Sequence, residues 1–182
     1  MRVFLALLVL ASFAAPSLAG GGPPILTRQE WGAKPAVIAR MIKQTPREIV
    51  IHHSGIARKE KLKLENKLRN LQHFSLATKN WGDVPYHFYI DASGQIGEGR
   101  DLAYAGDTNT RYDVKDRIQI VVEGDFEKET PAPAQLAAMR ELVGWLRADH
   151  RIAGAQVSSH GDHAQTDCPG KNLKPFIADL KK

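Results

Sequence analysis

The sequence predicts an α/β fold built as one mixed β-sheet with helices packed against it. Three features carry that expectation. Short β-rich runs, Arg47 to His53 (REIVIHH), Tyr86 to Ile90 (YHFYI) and Arg117 to Glu123 (RIQIVVE), alternate with stretches whose apolar residues recur every three or four positions. Turn-forming clusters such as Asp91-Ala92-Ser93-Gly94 punctuate them. The length of 182 residues sustains one domain with a real core, and no internal repeat or linker divides it.

The chain opens on a segment of different character. Arg2 supplies one positive charge, Phe4 to Ala15 is an apolar run broken by Ser12, and Ser17-Leu18-Ala19 offers small residues before a cleavage point. That order predicts a secretory signal peptide over residues 1–19, too short in its apolar run to span a bilayer. Residues 20–24, rich in Gly and Pro, read as a flexible lead-in, and residues 25–182 as a single domain.

Within that domain, Arg47 to His53 is apolar on both faces and reads as a buried central strand. Glu60 to Lys79 sets Leu64, Leu68, Leu71 and Phe74 at helical spacing, and Asn80 suits the left-handed residue that ends a helix. Tyr86 to Ile90 and Gln95 to Glu98 form a hairpin around the Asp91 turn. After the strand of Arg117 to Glu123, Thr130-Pro131 predicts a helix start. Leu136, Met139, Val143 and Leu146 carry that helix's apolar stripe to His150. A short strand at 156–160 and a closing helix at 173–180 complete the order.

Cleavage after Ala19 removes Arg2 and lowers the formal charge of +5 by one. A modest positive balance suits an acidic polymer such as cell wall, and export argues against nucleic acid. One cysteine, Cys168, leaves no intramolecular disulfide, so an intermolecular bridge, a reactive thiol or a metal ligand are its options. Cys168 lies in the loop SHGDHAQTDCPG, eight residues after His160. With a histidine from the end of the REIVIHH strand, these residues can converge on one ion. Imidazole and thiolate are zinc ligands, and three of them leave one tetrahedral position for a water whose pKa then falls towards neutrality. Tetrahedral geometry sets the ligand atoms about 3–4 Å apart. Adjacent strand residues point to opposite faces, so His52 and His53 do not both ligate.

IVIHHS, NWGDVPYHFYID and HGDHAQTDCPG, in that order, resemble the type-2 N-acetylmuramoyl-L-alanine amidase family, which includes peptidoglycan recognition proteins and phage lysozyme-type amidases. TRQEWGAKP and EGDF, followed by Thr-Pro and Gln135-Leu136, resemble the recognition-protein branch. The likeness covers residues 27–178 or thereabouts. It implies a peptidoglycan-recognition-protein-like amidase fold, with residues 25–182 a zinc amidase domain, and Zn2+ held by His52, His160 and Cys168. The implied reaction is hydrolysis of the amide bond between N-acetylmuramic acid and L-alanine. The expected partner is peptidoglycan or a muropeptide, with no nucleic acid and no membrane span after signal cleavage, for a monomer in the periplasm or outside the cell. Tyr86 maps onto the family's catalytic tyrosine, and Thr166 onto a position where phage enzymes carry lysine and recognition proteins commonly carry threonine. A non-catalytic peptidoglycan receptor is the alternative; such members tend to lose the cysteine, which this chain keeps.

Departures from the family pattern are local. Val121 stands where some bacterial relatives carry a glutamate base; Glu123, two residues on and on the same face of a regular strand, is the substitute the sequence offers. Ser75 stands where recognition proteins often carry a histidine, and Asp113 to Arg117 departs from the usual approach to the central strand. His87 is expected to support the core on the face opposite Tyr86. His73, His150 and His163 read as surface or supporting residues. Trp31, Trp81 and Trp145 read as packing residues, and Trp81 is also a candidate for the border of a groove.

Overall fold

The computed structural model describes residues 21–182; the expected signal peptide, residues 1–19, lies outside them. Six strands form one sheet: β1 (Ile25–Leu26), β2 (Glu48–His53), β3 (Phe88–Ile90), β4 (Ile96–Glu98), β5 (Arg117–Val122) and β6 (Val157–Ser159). Their order is β1-β4-β3-β5-β2-β6, parallel throughout except for the antiparallel β3–β4 hairpin. Three α-helices, α1 (Leu64–Ala77), α2 (Pro133–His150) and α3 (Lys174–Asp179), accompany it. This is the mixed, helix-flanked sheet that the sequence predicts.

Strand alternation divides the sheet's two faces. Ile49, Ile51, Phe88, Ile90, Ile118, Ile120 and Val122 meet Met139, Leu142, Val143 and Leu146 of α2 and Ile177 of α3 in the larger core. On the opposite face Tyr89 and Val121 pack with Trp31 and with Leu64 and Leu68 of α1. Central strands covered on both sides need apolar residues in both registers, which is why REIVIHH and RIQIVVE read as nearly continuous hydrophobic runs.

Helix boundaries differ from expectation for local reasons. α2 begins at Pro133, not at Thr130-Pro131. A residue preceding proline is driven to extended backbone, and Ala132 adopts φ −68°, ψ 147° ahead of Pro133. Gln135 then reaches back to accept the N–H of Ala132 at 3.1 Å. α1 begins at Leu64 after an extended Lys63, since Lys59 to Leu62 form a turn instead. Asn80 is left-handed at φ 56°, as expected just past a helix end. Phe74, placed by periodicity on the packed stripe, is 44% exposed: α1 carries it past the core to the rim of a cleft described below. The sequence gives no strand signal for β1, whose two residues are held by pairing with β4.

His87 supports the core as expected. It is fully buried; its Nδ1 accepts the Gln119 N–H at 2.8 Å, and its Nε2 donates to the Tyr104 carbonyl at 2.9 Å. Burial is the main cause that pulls its pKa from 6.5 down to about 4. The folded state therefore binds this proton less readily than the unfolded state. The resulting stability is present above pH 6.5 and is lost as pH falls towards 4, on the order of 3 kcal/mol in full. The urea midpoint is expected to decline across that window, with the His87 imidazole still neutral by 15N NMR at pH 5. A midpoint that stays level from pH 7 to 4.5 would contradict this.

Candidate metal centre

Two of the candidate donors come from neighbouring strands in register. β2 and β6 pair in parallel with Ile51 opposite Ser159, so the next residue of each chain segment, His52 and His160, leaves the sheet side by side. Parallel neighbours lie about 4.8 Å apart, and the two imidazole centroids are 4.7 Å apart. The side chain of His52 rises on the α1 face. His53 turns to the other side, where its Nδ1 accepts the N–H of Phe126 at 3.2 Å.

The third donor arrives on the loop after His160. Gly170 anchors that loop: its φ is +88°, and a Cβ there would lie 2.4 Å from the Phe126 backbone, so only glycine lets the two segments approach. Cys168 is buried with its Sγ 3.7 Å from His52 Nδ1, and it accepts the N–H of His53 at 3.4 Å. The donor atoms of His52, His160 and Cys168 all lie within 4.8 Å of one another, a slightly wider spread than the 3–4 Å expected of tetrahedral ligands.

The donor chemistry fits a zinc ion. Nε2 of His52 lies 2.5 Å from Gln119 Oε1 and Nε2 of His160 lies 2.6 Å from Thr110 Oγ1, so both outer nitrogens are committed while Nδ1 of His52 faces the sulfur. Burial, together with the neighbouring His160, lowers the pKa of His52 to about 3, and burial also lowers that of His160. Both imidazoles are thereby kept neutral, as metal ligation requires. Burial pushes the Cys168 thiol up to about 12. Burial raises the thiol and lowers the imidazole, both in the direction that disfavours the thiolate–imidazolium pair of a cysteine nucleophile. Coordination deprotonates such a thiol directly.

Tyr86 lies beside the donors, its ring centroid 5.3 Å from that of His52. It also lines a cleft of about 460 Å3, together with Phe74, Trp81, Asn70, Lys67 and Asn109. Tyr86 thus lies both beside the donor cluster and on the wall of this cleft, which Trp81 also lines. Thr166 sits two residues before Cys168, and its Oγ1 accepts the Cys168 N–H at 3.2 Å, which leaves its hydroxyl proton able to donate. Glu123 is otherwise engaged. Its carboxylate is almost fully buried and accepts from Lys67 Nζ at 2.7 Å and from the N–H groups of Lys59 and Ala92, both at 2.9 Å. This buried pair joins α1 to the end of β5 and removes Glu123 as a mobile proton carrier. Ser75 is buried and bonds Leu71 O at 2.7 Å, away from the groove.

Sequence reasoning missed Gln119 and Thr110. Neither residue type signals a metal site. Gln119 interrupts the apolar RIQIVV run, however, and a polar residue inside a buried strand must find a partner.

A family profile described as N-acetylmuramoyl-L-alanine amidase matches residues 42–171. Peptidoglycan-recognition protein SD of Drosophila simulans is 31% identical over 164 residues, covering 86% of each chain. An N-acetylmuramoyl-L-alanine amidase of Sus scrofa is 28% identical over 164 residues, which are 84% of this chain and 26% of that longer protein. Among solved structures, peptidoglycan recognition protein-LE in complex with tracheal cytotoxin, a monomeric diaminopimelic acid-type peptidoglycan, superposes with a TM-score of 0.74 at 26% identity. That match covers 85% of this chain and 92% of the other.

Proposed function

The chain belongs to the type-2 N-acetylmuramoyl-L-alanine amidase and peptidoglycan-recognition family, and from that premise we propose that it is a zinc-dependent amidase. Its substrate is the amide bond between N-acetylmuramic acid and the L-alanine of the peptidoglycan stem. The observation that carries this reading is the convergence of His52, His160 and Cys168 beside Tyr86, a residue that also lines a groove. The chemistry that zinc supplies at such a site is Lewis-acid polarisation and a water activated near neutral pH.

The chain's own residues supply the rest. The two imidazoles and the thiolate hold the ion. The groove lined by Phe74, Trp81 and Asn70 receives the stem peptide along an apolar wall with a few polar groups, the usual make-up of a ligand site. Burial, the largest cause, and the nearby Cys168 raise the Tyr86 phenol above its ordinary pKa. It therefore stays protonated and acts as a hydrogen-bond donor, not as a base. Thr166 offers a second, weaker hydroxyl from the cysteine loop. Export after cleavage of residues 1–19 brings the enzyme to its polymer in the periplasm or outside the cell, where its positive balance favours an acidic wall.

The rival reading, a receptor that binds peptidoglycan without turnover, draws on the relatives named recognition proteins. Chelation separates the two. Stem-peptide release from purified sacculi is expected to fall to background after treatment with a strong chelator and to return on adding zinc. Zinc-loaded protein that binds sacculi and releases nothing would establish the receptor instead.

A further inference from the structure

The outer faces of the two histidines are covered by the segment that links β4 to β5 and by β5 itself. Thr110 Oγ1 meets Nε2 of His160 at 2.6 Å. Gln119 Oε1 lies 2.5 Å from Nε2 of His52 and also accepts the Tyr112 hydroxyl at 3.1 Å. The Tyr112 ring lies 5.1 Å from that of His160 and stacks on His163 at 5.6 Å. The linking segment can come this close because Gly106 faces Gln119: a Cβ there would stand 2.7 Å from Gln119 Cγ.

Resting on the zinc reading above, we propose that Gln119 and Thr110 are positioning residues that fix which nitrogen of each histidine is presented to the metal. An imidazole that ligates through Nδ1 must carry its proton on Nε2, and that tautomer is held by an acceptor placed opposite Nε2. Gln119 supplies a carbonyl oxygen there for His52, and Thr110 a hydroxyl oxygen for His160. The orientation of Gln119 has a cost that indicates what it serves. It is 1% exposed, and its amide nitrogen is the one buried side-chain polar atom without a partner among the described residues. An amide turned this way satisfies His52 and Tyr112 with its oxygen and leaves its own donors unpaired. A residue present only to fill the space would be apolar and would orphan nothing.

Zinc affinity measured by competition with a chromophoric chelator tests this, because a filler and a positioning residue give opposite rankings. Gln119→Leu keeps the volume and loses the acceptor, and is expected to weaken zinc binding about 10–100-fold. Gln119→Glu restores an acceptor opposite Nε2 and is expected to bind zinc at least as tightly as the wild type. Thr110→Val is expected to weaken binding by up to about tenfold, the lower end of the same range. Imidazole 15N shifts of the zinc-loaded wild type should show both histidines protonated at Nε2. Wild-type affinity in Gln119→Leu, or weaker binding by Gln119→Glu than by Gln119→Leu, would overturn the proposal. Should Gln119→Leu fail to fold, wild-type affinity in Thr110→Val together with weakened binding in Gln119→Glu would overturn it. A wild type that binds no zinc would bring down the metal reading as well, a result distinct from any of these.

Discussion

Cys168→Ser is expected to lose zinc and amidase activity together. The thiolate is the one anionic donor among the three, and serine offers in its place a neutral hydroxyl that does not ionise near neutral pH. Loss of a residue that merely supports a ligand costs about 10–100-fold in metal affinity, so loss of the ligand itself is expected to exceed that range. Zinc that binds the folded state raises its stability by mass action. Added zinc should therefore raise the melting temperature of the wild type and leave that of Cys168→Ser unchanged. Metal analysis, thermal unfolding with and without zinc, and stem-peptide release would be read on the same preparations. A variant that keeps zinc and activity would show that the sulfur only packs against His52 and the His53 N–H, 3.7 and 3.4 Å away.

Tyr86→Phe is expected to separate what Cys168→Ser joins. The phenol is not a ligand, so zinc content and binding to sacculi should persist. Attack on the amide carbonyl builds negative charge on its oxygen, and a positioned O–H that donates to that oxygen acts more strongly in the transition state than before it. Removing one such donor typically costs about 10²–10³ in turnover. The raised phenol pKa keeps the proton on Tyr86, so no loss of activity from its ionisation is expected up to pH 10. Thr166→Ala should cost less, because its hydroxyl is neutral and its oxygen already accepts from the backbone of Cys168. Wild-type turnover in Tyr86→Phe would reduce the tyrosine to a wall of the groove.

Much of this arrangement was legible in the sequence, because it follows from local rules. Strand alternation sets His52 and His53 on opposite faces, and the REIVIHH strand reads as buried and central because both of its faces are apolar. Asn80 marks a helix end because few other residues tolerate a left-handed backbone. What escaped has its cause far away in the chain. Lys67 reads as one more charge on an amphipathic helix, yet it is buried against Glu123, 56 positions later. Gln119 becomes meaningful only once His52, 67 positions earlier, stands beside it. The start of α2 was misplaced for a local reason instead: of two prolines two apart, the second opens the helix, and the first only resembles an opening.

The adjacency of β2 and β6 also governs how the molecule is made. The ladder of β2 is completed by strands that emerge from the ribosome much later, β5 from residue 117 and β6 from residue 157. Until β6 docks, β2 has one side unpaired, an edge of the kind that invites association with other chains. Contacts this distant in sequence also slow folding, since the intervening loops must close before the pairing is gained. The last three-residue strand therefore both covers that side of β2 and delivers His160, so that the candidate donors come together only once β6 has docked on β2.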